Sequence, residues 1–368
     1  MKNFIFFISF MSSAIASFFL VRYHGIFGTL ANDPVGDGPQ KFHTKPVPRV
    51  GGVAVAGGIL LAGVIMTLWS KFPENEYLLL LFSAIPAFLG GLIEDLTKKI
   101  GVLTRLVFTM FSGGIGIYLL DAYLIRLDIP FFDYFLVNLP IFAYVFTVFA
   151  VGGVANAINI IDGFNGLASG VCLIIISALA YVCYEVGDSF LLLVCLSTAG
   201  AILGFMVWNF PKGLIFLGDG GAYLIGFLIA EVSVLLVKRH PEVSPWFPML
   251  LVAYPVTETI FSIYRKIFLK GISPGVPDAL HLHMLIHRRI VKKGLELIDE
   301  KKKIWLNSMT SPYLWAFTIM CALPGIFFWQ NTVILIFFVI IFIIFYLWFY
   351  WRLVRFKSPK GLIKRKIE

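Results

Sequence analysis

Charge is scarce in this chain. Asp, Glu, Lys and Arg make up 14% of its 368 residues, where a soluble domain averages about 25%. Hydrophobic residues make up 59%, which is more apolar surface than one water-surrounded core of this length can bury. An ordinary soluble enzyme is thereby excluded, and lipid is the solvent for much of the chain. Cysteine is scarce too. Cys172, Cys183, Cys195 and Cys321 all fall inside apolar runs and no CxxC pair occurs. That excludes a disulfide framework and a cysteine-rich zinc site, and leaves four buried apolar thiols. Internal repeats and low-complexity linkers are also absent, so residues 1–368 read as one membrane domain. The net charge of +9 is distributed by membrane side rather than as a nucleic-acid patch, so no nucleic-acid partner is expected.

Long apolar runs are what the chain does have. A helix crossing the hydrocarbon core needs roughly 20 apolar residues. Such runs fall near 4–22, 51–70, 77–93, 102–120, 137–155, 166–184, 189–208, 220–237, 246–264, 313–330 and 332–351. The expected fold is all-α and polytopic, with about eleven transmembrane helices. The fifth run is interrupted by Pro140 and Gly152–Gly153. The first lacks a small-residue cleavage site and reads as an anchor rather than a signal peptide. Of the 30 Lys and Arg, only Lys2, Lys71, Arg126, Lys238 and Arg239 fall on one side of this alternating map. The positive-inside rule then places the N-terminus outside and the C-terminus in the cytoplasm, with a cytoplasmic loop over 265–312 and a basic cytoplasmic tail over 352–368. An even number of spans would break the alternation.

On this map the unusual polar residues collect at one face. Asp162 and Asp219 each lie where an apolar run meets the inner surface, and each is followed by Gly. A carboxylate at membrane depth costs a few kcal/mol or more, and persists where it binds a cation, pairs or reacts. Magnesium takes one or two carboxylates with an amide oxygen and substrate phosphates; Asp219, Asn159 and a pyrophosphate would supply that set. A plain helix cap is the simpler reading of a single such Asp, but several on one face favour a site. Asn156, Asn159 and Asp162 are spaced by three and share one helix stripe. Glu94 and Asp95 are adjacent and repel, so a base or metal is expected near them, with Lys98, Lys99 and Arg105 as local candidates. Lys41, His43, Lys45 and Arg49 precede Gly51–Gly52, where a helix N-terminus beside basic groups suits phosphate. His281 and His283 are two apart, which suits a loop that points both the same way; as donors to phosphate or sugar oxygens they fit better than as a zinc pair. His287 is expected on the surface.

The segments K-F-H-T-K-P-V-P-R-V-G-G (41–52), G-L-I-E-D (91–95), N-A-I-N-I-I-D-G-F-N-G-L-A (156–168), F-L-G-D-G-G (216–221) and S-P-G-V-P-D-A-L-H-L-H (273–283) together resemble the polyprenyl-phosphate N-acetylhexosamine-1-phosphate transferase family. The likeness covers about residues 30–290 in the family's order. It is strongest to the branch that loads GlcNAc-1-phosphate or a related sugar onto undecaprenyl phosphate. It implies Asp219 as the main Mg²⁺ ligand with Asn159 beside it, Mn²⁺ being the natural substitute. It further implies Asp95 and Asp162 as catalytic carboxylates with Glu94 in support and Lys45 on phosphate. Phe216 would stack on the uracil, Asn165 would read its edge, and His281 and His283, with Asn156 and His43 nearby, would hold the rest of the nucleotide sugar. The chain departs from the pattern in two places: Glu94 replaces an Asp, and Met284 replaces the last residue of H-x-H-H. The P-x-H-H-H-x-E signature of the muramoyl-pentapeptide branch is missing, which argues against that substrate.

The resemblance thus implies transfer of an N-acetylhexosamine-1-phosphate from a UDP-sugar to undecaprenyl phosphate, with UMP released, at the cytoplasmic face of a bacterial inner membrane. Such a step begins a cell-surface glycan such as the O-antigen of lipopolysaccharide. A homodimer is compatible with it. The rival reading is a transporter or flippase for lipid-linked sugars, which would place ionisable groups such as Glu231 and Glu258 near the bilayer midplane.

Overall fold

A computed structural model describes residues 2–23, 25, 32–33, 47–69, 76–273, 275–276, 278–292 and 299–355. Lys41, His43, Lys45 and residues 356–368 of the basic tail lie outside the described residues. The described chain is helical apart from a two-residue antiparallel ladder, β1 (Asn32–Asp33) with β2 (Val47–Pro48). In order the helices are α1 (Lys2–Arg22), α2 (Gly51–Trp69), α3 (Glu76–Thr97), α4 (Val102–Leu120), α5 (Pro130–Asn138), α6 (Pro140–Ile161), α7 (Leu167–Glu185), α8 (Ser189–Asn209), α9 (Gly218–Arg239), α10 (Trp246–Leu251), α11 (Ala253–Tyr264), α12 (Leu282–Ile286), α13 (Glu300–Ser308), α14 (Ser311–Phe327) and α15 (Thr332–Val354).

Among the described residues ten stretches are long and apolar enough to cross a membrane, as in an all-α polytopic membrane protein. The expected run 246–264 is not one of the ten. It breaks at Val252 into α10 and α11. Pro255 lacks the N–H that would bond the Leu251 carbonyl, and its ring crowds that carbonyl, so a new helix starts with Pro255 in its first turn. Pro140 has the opposite effect to the one expected. It occupies the first position of α6 rather than interrupting it, where its missing N–H costs nothing. Gly152 lies inside that helix and admits Met110 of α4.

The most enclosed element is α9, of which every residue from Gly218 to Val237 except Ser233 is buried. It packs against α2, α3, α4, α6, α7 and α8. Small residues set how closely the others approach. The Ser9 and Ser13 hydroxyls of α1 donate to the Ser197 and Ala201 carbonyls of α8 at 2.6 and 2.7 Å, satisfying polar groups that lipid would leave bare. The two ends of α9 are chemically different. At its C-terminal end Arg239 pairs with Glu76, and Lys238 with Asp121. At its N-terminal end the ends of α2, α3, α4 and α6 converge. There Gly51 and Gly52 donate backbone hydrogen bonds to the Phe216 and Leu217 carbonyls at 2.9 and 2.8 Å.

Candidate active site

Asp219 lies in the first turn of α9. Gly218 before it has φ +76 and has no room for a Cβ, because Asp95 Oδ2 and the Arg49 carbonyl fill that space. The turn delivers two free helix-terminal donors to Asp95 from α3. The Asp219 N–H reaches Asp95 Oδ1 at 2.9 Å, and the Gly220 N–H reaches Oδ2 at 2.9 Å. A buried carboxylate thus closes the positive end of the central helix. Close approach of α3 makes this contact, since a Cβ on Gly91 would stand 2.5 Å from the Asp219 carbonyl and the Gly220 nitrogen.

Arg49 is the hub of the cluster. Its Nε lies 3.3 Å from Asp95 Oδ1, and its Nη2 donates to Asp219 Oδ1. It also acts electrostatically on Asp162, which in turn is within electrostatic reach of Asp95. Arg105, at the start of α4, forms an ion pair with the other Asp219 oxygen. Asp95 and Asp219, from two distant segments, therefore meet at Arg49, with Arg105 on Asp219 and with Asp162 within electrostatic reach of Arg49 and Asp95. Of the bases expected beside Glu94–Asp95, Arg105 serves Asp219 instead. Glu94 turns away from Asp95, and its Oε2 accepts the Ile100 N–H at 2.7 Å.

Asp162 follows the last residue of α6 and is half-buried. Burial pushes its carboxyl up to about 6, against the pull of Arg49. The expected stripe of three is real for Asn156 and Asn159, which lie within α6, whereas Asp162 sits just past its end. Asn156 Oδ1 accepts the Tyr223 hydroxyl of α9 at 3.1 Å, which ties α6 to the central helix. Asn159 is half-buried one turn before Asp162. Phe216 is half-buried in the segment that bonds Pro48 and Gly51. Asn165 is buried, and its amide nitrogen donates to Ser308 at 3.1 Å. Its backbone N–H donates to Asn307 and its carbonyl accepts from Ser311, so it fastens the turn after α6 to α13 and α14.

The histidines reach the same turn from the other side. His281 and His283 stack with ring centres 5.3 Å apart and planes 1° from parallel. His283 Nε2 lies 3.1 Å from where a Cβ on Gly163 would stand, and its ring meets Phe164 edge-on. Burial pushes the His283 imidazole down to about 3, with His281 adding to the shift. His287 corrects the expectation of a surface residue. It is buried, tilts against Phe164 at 5.1 Å and bonds Thr310 at 3.0 Å. It lies one turn after His283 on a helical segment, so it faces inward as His283 does. Sequence reading gave no role to Tyr223 and none outside transport to Glu258. Both are polar groups inside otherwise apolar helices, which is the signal that marks them.

The donor chemistry of the cluster suits a hard divalent cation. Asp95 and Asp219 bring buried carboxylate oxygens together at Arg49. Among the described residues no three His, Cys, Asp or Glu form a ready ligand shell.

Residues 77–237 match glycosyl transferase family 4. Over 260 residues, the chain is 31% identical to the probable undecaprenyl-phosphate N-acetylglucosaminyl 1-phosphate transferase of Bacillus subtilis (strain 168), covering 70% of this chain and 69% of that one. The chain belongs to glycosyl transferase family 4. Two more members are similar to it, both called undecaprenyl-phosphate alpha-N-acetylglucosaminyl 1-phosphate transferase. The Thermotoga maritima protein is 28% identical over 84% of this chain and 94% of its own length. The Escherichia coli K12 protein is 29% identical over 68% and 67%. The segment that matches the glycosyl transferase family 4 pattern contains Asp95, Asn159, Asp162, Asn165, Phe216 and Asp219, while Arg49, His281 and His283 lie outside it.

Proposed function

We propose that this chain transfers an N-acetylhexosamine-1-phosphate from a UDP-sugar to undecaprenyl phosphate, releasing UMP, on the cytoplasmic side of a bacterial inner membrane. The observation that carries this reading is the meeting of Asp95 and Asp219 at Arg49, with Arg105 on Asp219 and Asp162 within electrostatic reach, at one end of the helix bundle. The names of the family 4 relatives agree with it.

An oxygen of the lipid phosphate attacks the β-phosphorus of the UDP-sugar. The bond from that phosphorus to the bridging oxygen breaks, and UMP departs with the bridging oxygen. Two anions must approach, so the residues that matter are those that hold charge in place before the reaction. Arg49 and Arg105, with Lys45, offer cations to the phosphates. Asp162, whose proton is held up to about pH 6, takes or returns a proton on a phosphate oxygen. Asp95 fixes the start of α9 and through it the direction of Asp219. Asp219 and Asn159 would hold Mg²⁺, which supplies charge neutralisation to the pyrophosphate. His283 faces the turn beside Asp162; it and the adjoining His281 contact the sugar–pyrophosphate end, with Phe216 and Asn165 toward the uracil. The apolar lipid tail stays in the bilayer while its phosphate reaches this end of the bundle. The product starts a cell-surface glycan.

The test is UMP release by the purified full chain from a panel of UDP-sugars with undecaprenyl phosphate, with and without Mg²⁺. Release that needs both the lipid and the metal is expected. Its absence for every UDP-N-acetylhexosamine would reject the reading.

A further inference from the structure

Glu258 stands fully buried in α11, in the middle of an apolar run. An isolated carboxylate there would be costly, yet this one is fully engaged. His281 Nδ1 is 2.8 Å from its Oε1, the Leu282 N–H points at both oxygens at 3.3 and 3.2 Å, and the Tyr346 hydroxyl of α15 donates to Oε2 at 2.8 Å. Three donors converge on two oxygens. A carboxylate has acceptors only, so the proton in the Glu258–His281 bond belongs to Nδ1. The other ring nitrogen, Nε2, points elsewhere, 3.8 Å from Asp278 Oδ1.

The loop carrying His281 is braced around this bond. Arg265 donates to both oxygens of Asp278 at 2.9 and 3.1 Å and to the Tyr350 hydroxyl at 3.1 Å, and that hydroxyl donates to the Leu280 carbonyl at 3.1 Å. His283 stacks on the far side of the His281 ring. The imidazole is thus held in one plane and one tautomer by groups on α11, α15 and its own loop.

We propose that Glu258 is a positioning residue for the nucleotide-sugar site. It holds His281 with its proton on Nδ1, which leaves Nε2 as a hydrogen-bond acceptor for a hydroxyl at the sugar end of the donor rather than a donor to its phosphates. This rests on the placement of His281 at the donor given above. A carboxylate behind a histidine fixes both ring orientation and tautomer, and loss of such a partner costs about 10–100-fold in activity where it has been measured in metal sites. The same size of effect is expected here because a misdirected ring loses its contact outright.

The experiment uses the full chain in detergent or nanodiscs with ¹⁵N-labelled histidine. The His281 signals are assigned by their loss in His281→Gln. In the wild type His281 should show a protonated Nδ1. In Glu258→Gln that preference should be lost, kcat/KM for the UDP-sugar should fall about 10–100-fold, and the pH profile should change. The groups facing the ring that could shape that profile are Glu258, Asp278, His283, Arg265 and Tyr346. The double variant Glu258→Gln with His281→Gln should be no worse than His281→Gln alone, because both remove one function. An unprotonated Nδ1 in the wild type, or losses that simply add, would overturn the proposal. If Glu258→Gln does not accumulate as folded protein, Glu258→Asp keeps the charge, withdraws it by a methylene, and should give the same non-additive loss. If the wild type releases no UMP, the activity reading fails, and the nitrogen signals still decide the tautomer.

Discussion

Asp95 and Asp219 lie 124 positions apart, yet the Asp95 carboxylate receives the Asp219 backbone N–H at 2.9 Å. One aspartate therefore builds the helix end on which the other is displayed. The two respond to substitution differently.

Removing Asp95 acts on both stability and activity. Asp95→Ala leaves two buried helix-terminal N–H groups and part of Arg49 without their acceptor. Such a loss costs about 1–3 kcal/mol, visible as a lower unfolding midpoint in detergent, and turnover should fall with it. Asp219→Asn keeps its backbone N–H and the cap but loses the charge paired with Arg49 and Arg105, so its midpoint should fall less than that of Asp95→Ala. Its Mn²⁺ affinity, read by electron paramagnetic resonance, and its turnover should fall by roughly two to three orders of magnitude, as for loss of one preorganised charge contact. Equal unfolding losses in the two variants would contradict this division of labour.

The pH response divides in the same way. His283 and His287 are held neutral by burial down to about 3 and about 4, below the ordinary 6.5. Between those values the unfolded chain binds more protons than the folded one, so the stability these groups support is full above 6.5 and drains as pH falls. Asp162 runs the opposite way. Its carboxyl, raised to about 6, favours the folded state below 3.8, and that contribution is lost as pH rises through 6. The unfolding midpoint should drop from about pH 7 to about pH 5, and His287→Gln should reduce the slope. Turnover should show an acid limb near pH 6 where Asp162 takes up its proton; a flat kcat/KM across that range would remove Asp162 from the chemistry.

Two glycine replacements test whether helix contact places the site. In Gly91→Ala the new methyl would strike backbone of α9 at 2.5 Å, where no side chain can yield. Folded yield and activity should both collapse. Gly57→Ala in α2 meets nothing within 4 Å, and it should be neutral or stabilise by about 0.5–1 kcal/mol through the usual helix preference for Ala. Comparable losses in the two would show that the α3–α9 approach does not position Asp95.

Much of the site was legible because charge in an apolar sequence is conspicuous. Asp95, Asp162 and Asp219 stand out against lipid-length runs; Asp95 and Asp219 touch, and Asp162 lies within electrostatic reach of Asp95. What escaped was pairing. Arg105 is close to Glu94–Asp95 in sequence but pairs with Asp219, since α3 and α4 run antiparallel and Arg105 starts a new helix. His287, six residues from His281, reads from sequence as a surface residue. Its helical position instead turns it inward onto Phe164. The ninth apolar run was long enough to be one span, yet Pro255 divides it.

The sequence by itself determined that the chain lives in lipid, that it is helical, and that its ionisable groups collect at the ends of apolar runs. These follow from transfer free energy and backbone hydrogen bonding, which depend on composition and local spacing. Only the tertiary structure decided which carboxylate faces which guanidinium, that Asp95 caps the helix carrying Asp219, and that Glu258 stands behind His281. Those partners lie far apart along the chain, and their meeting depends on how closely glycine and serine surfaces let helices pack, which no local pattern encodes.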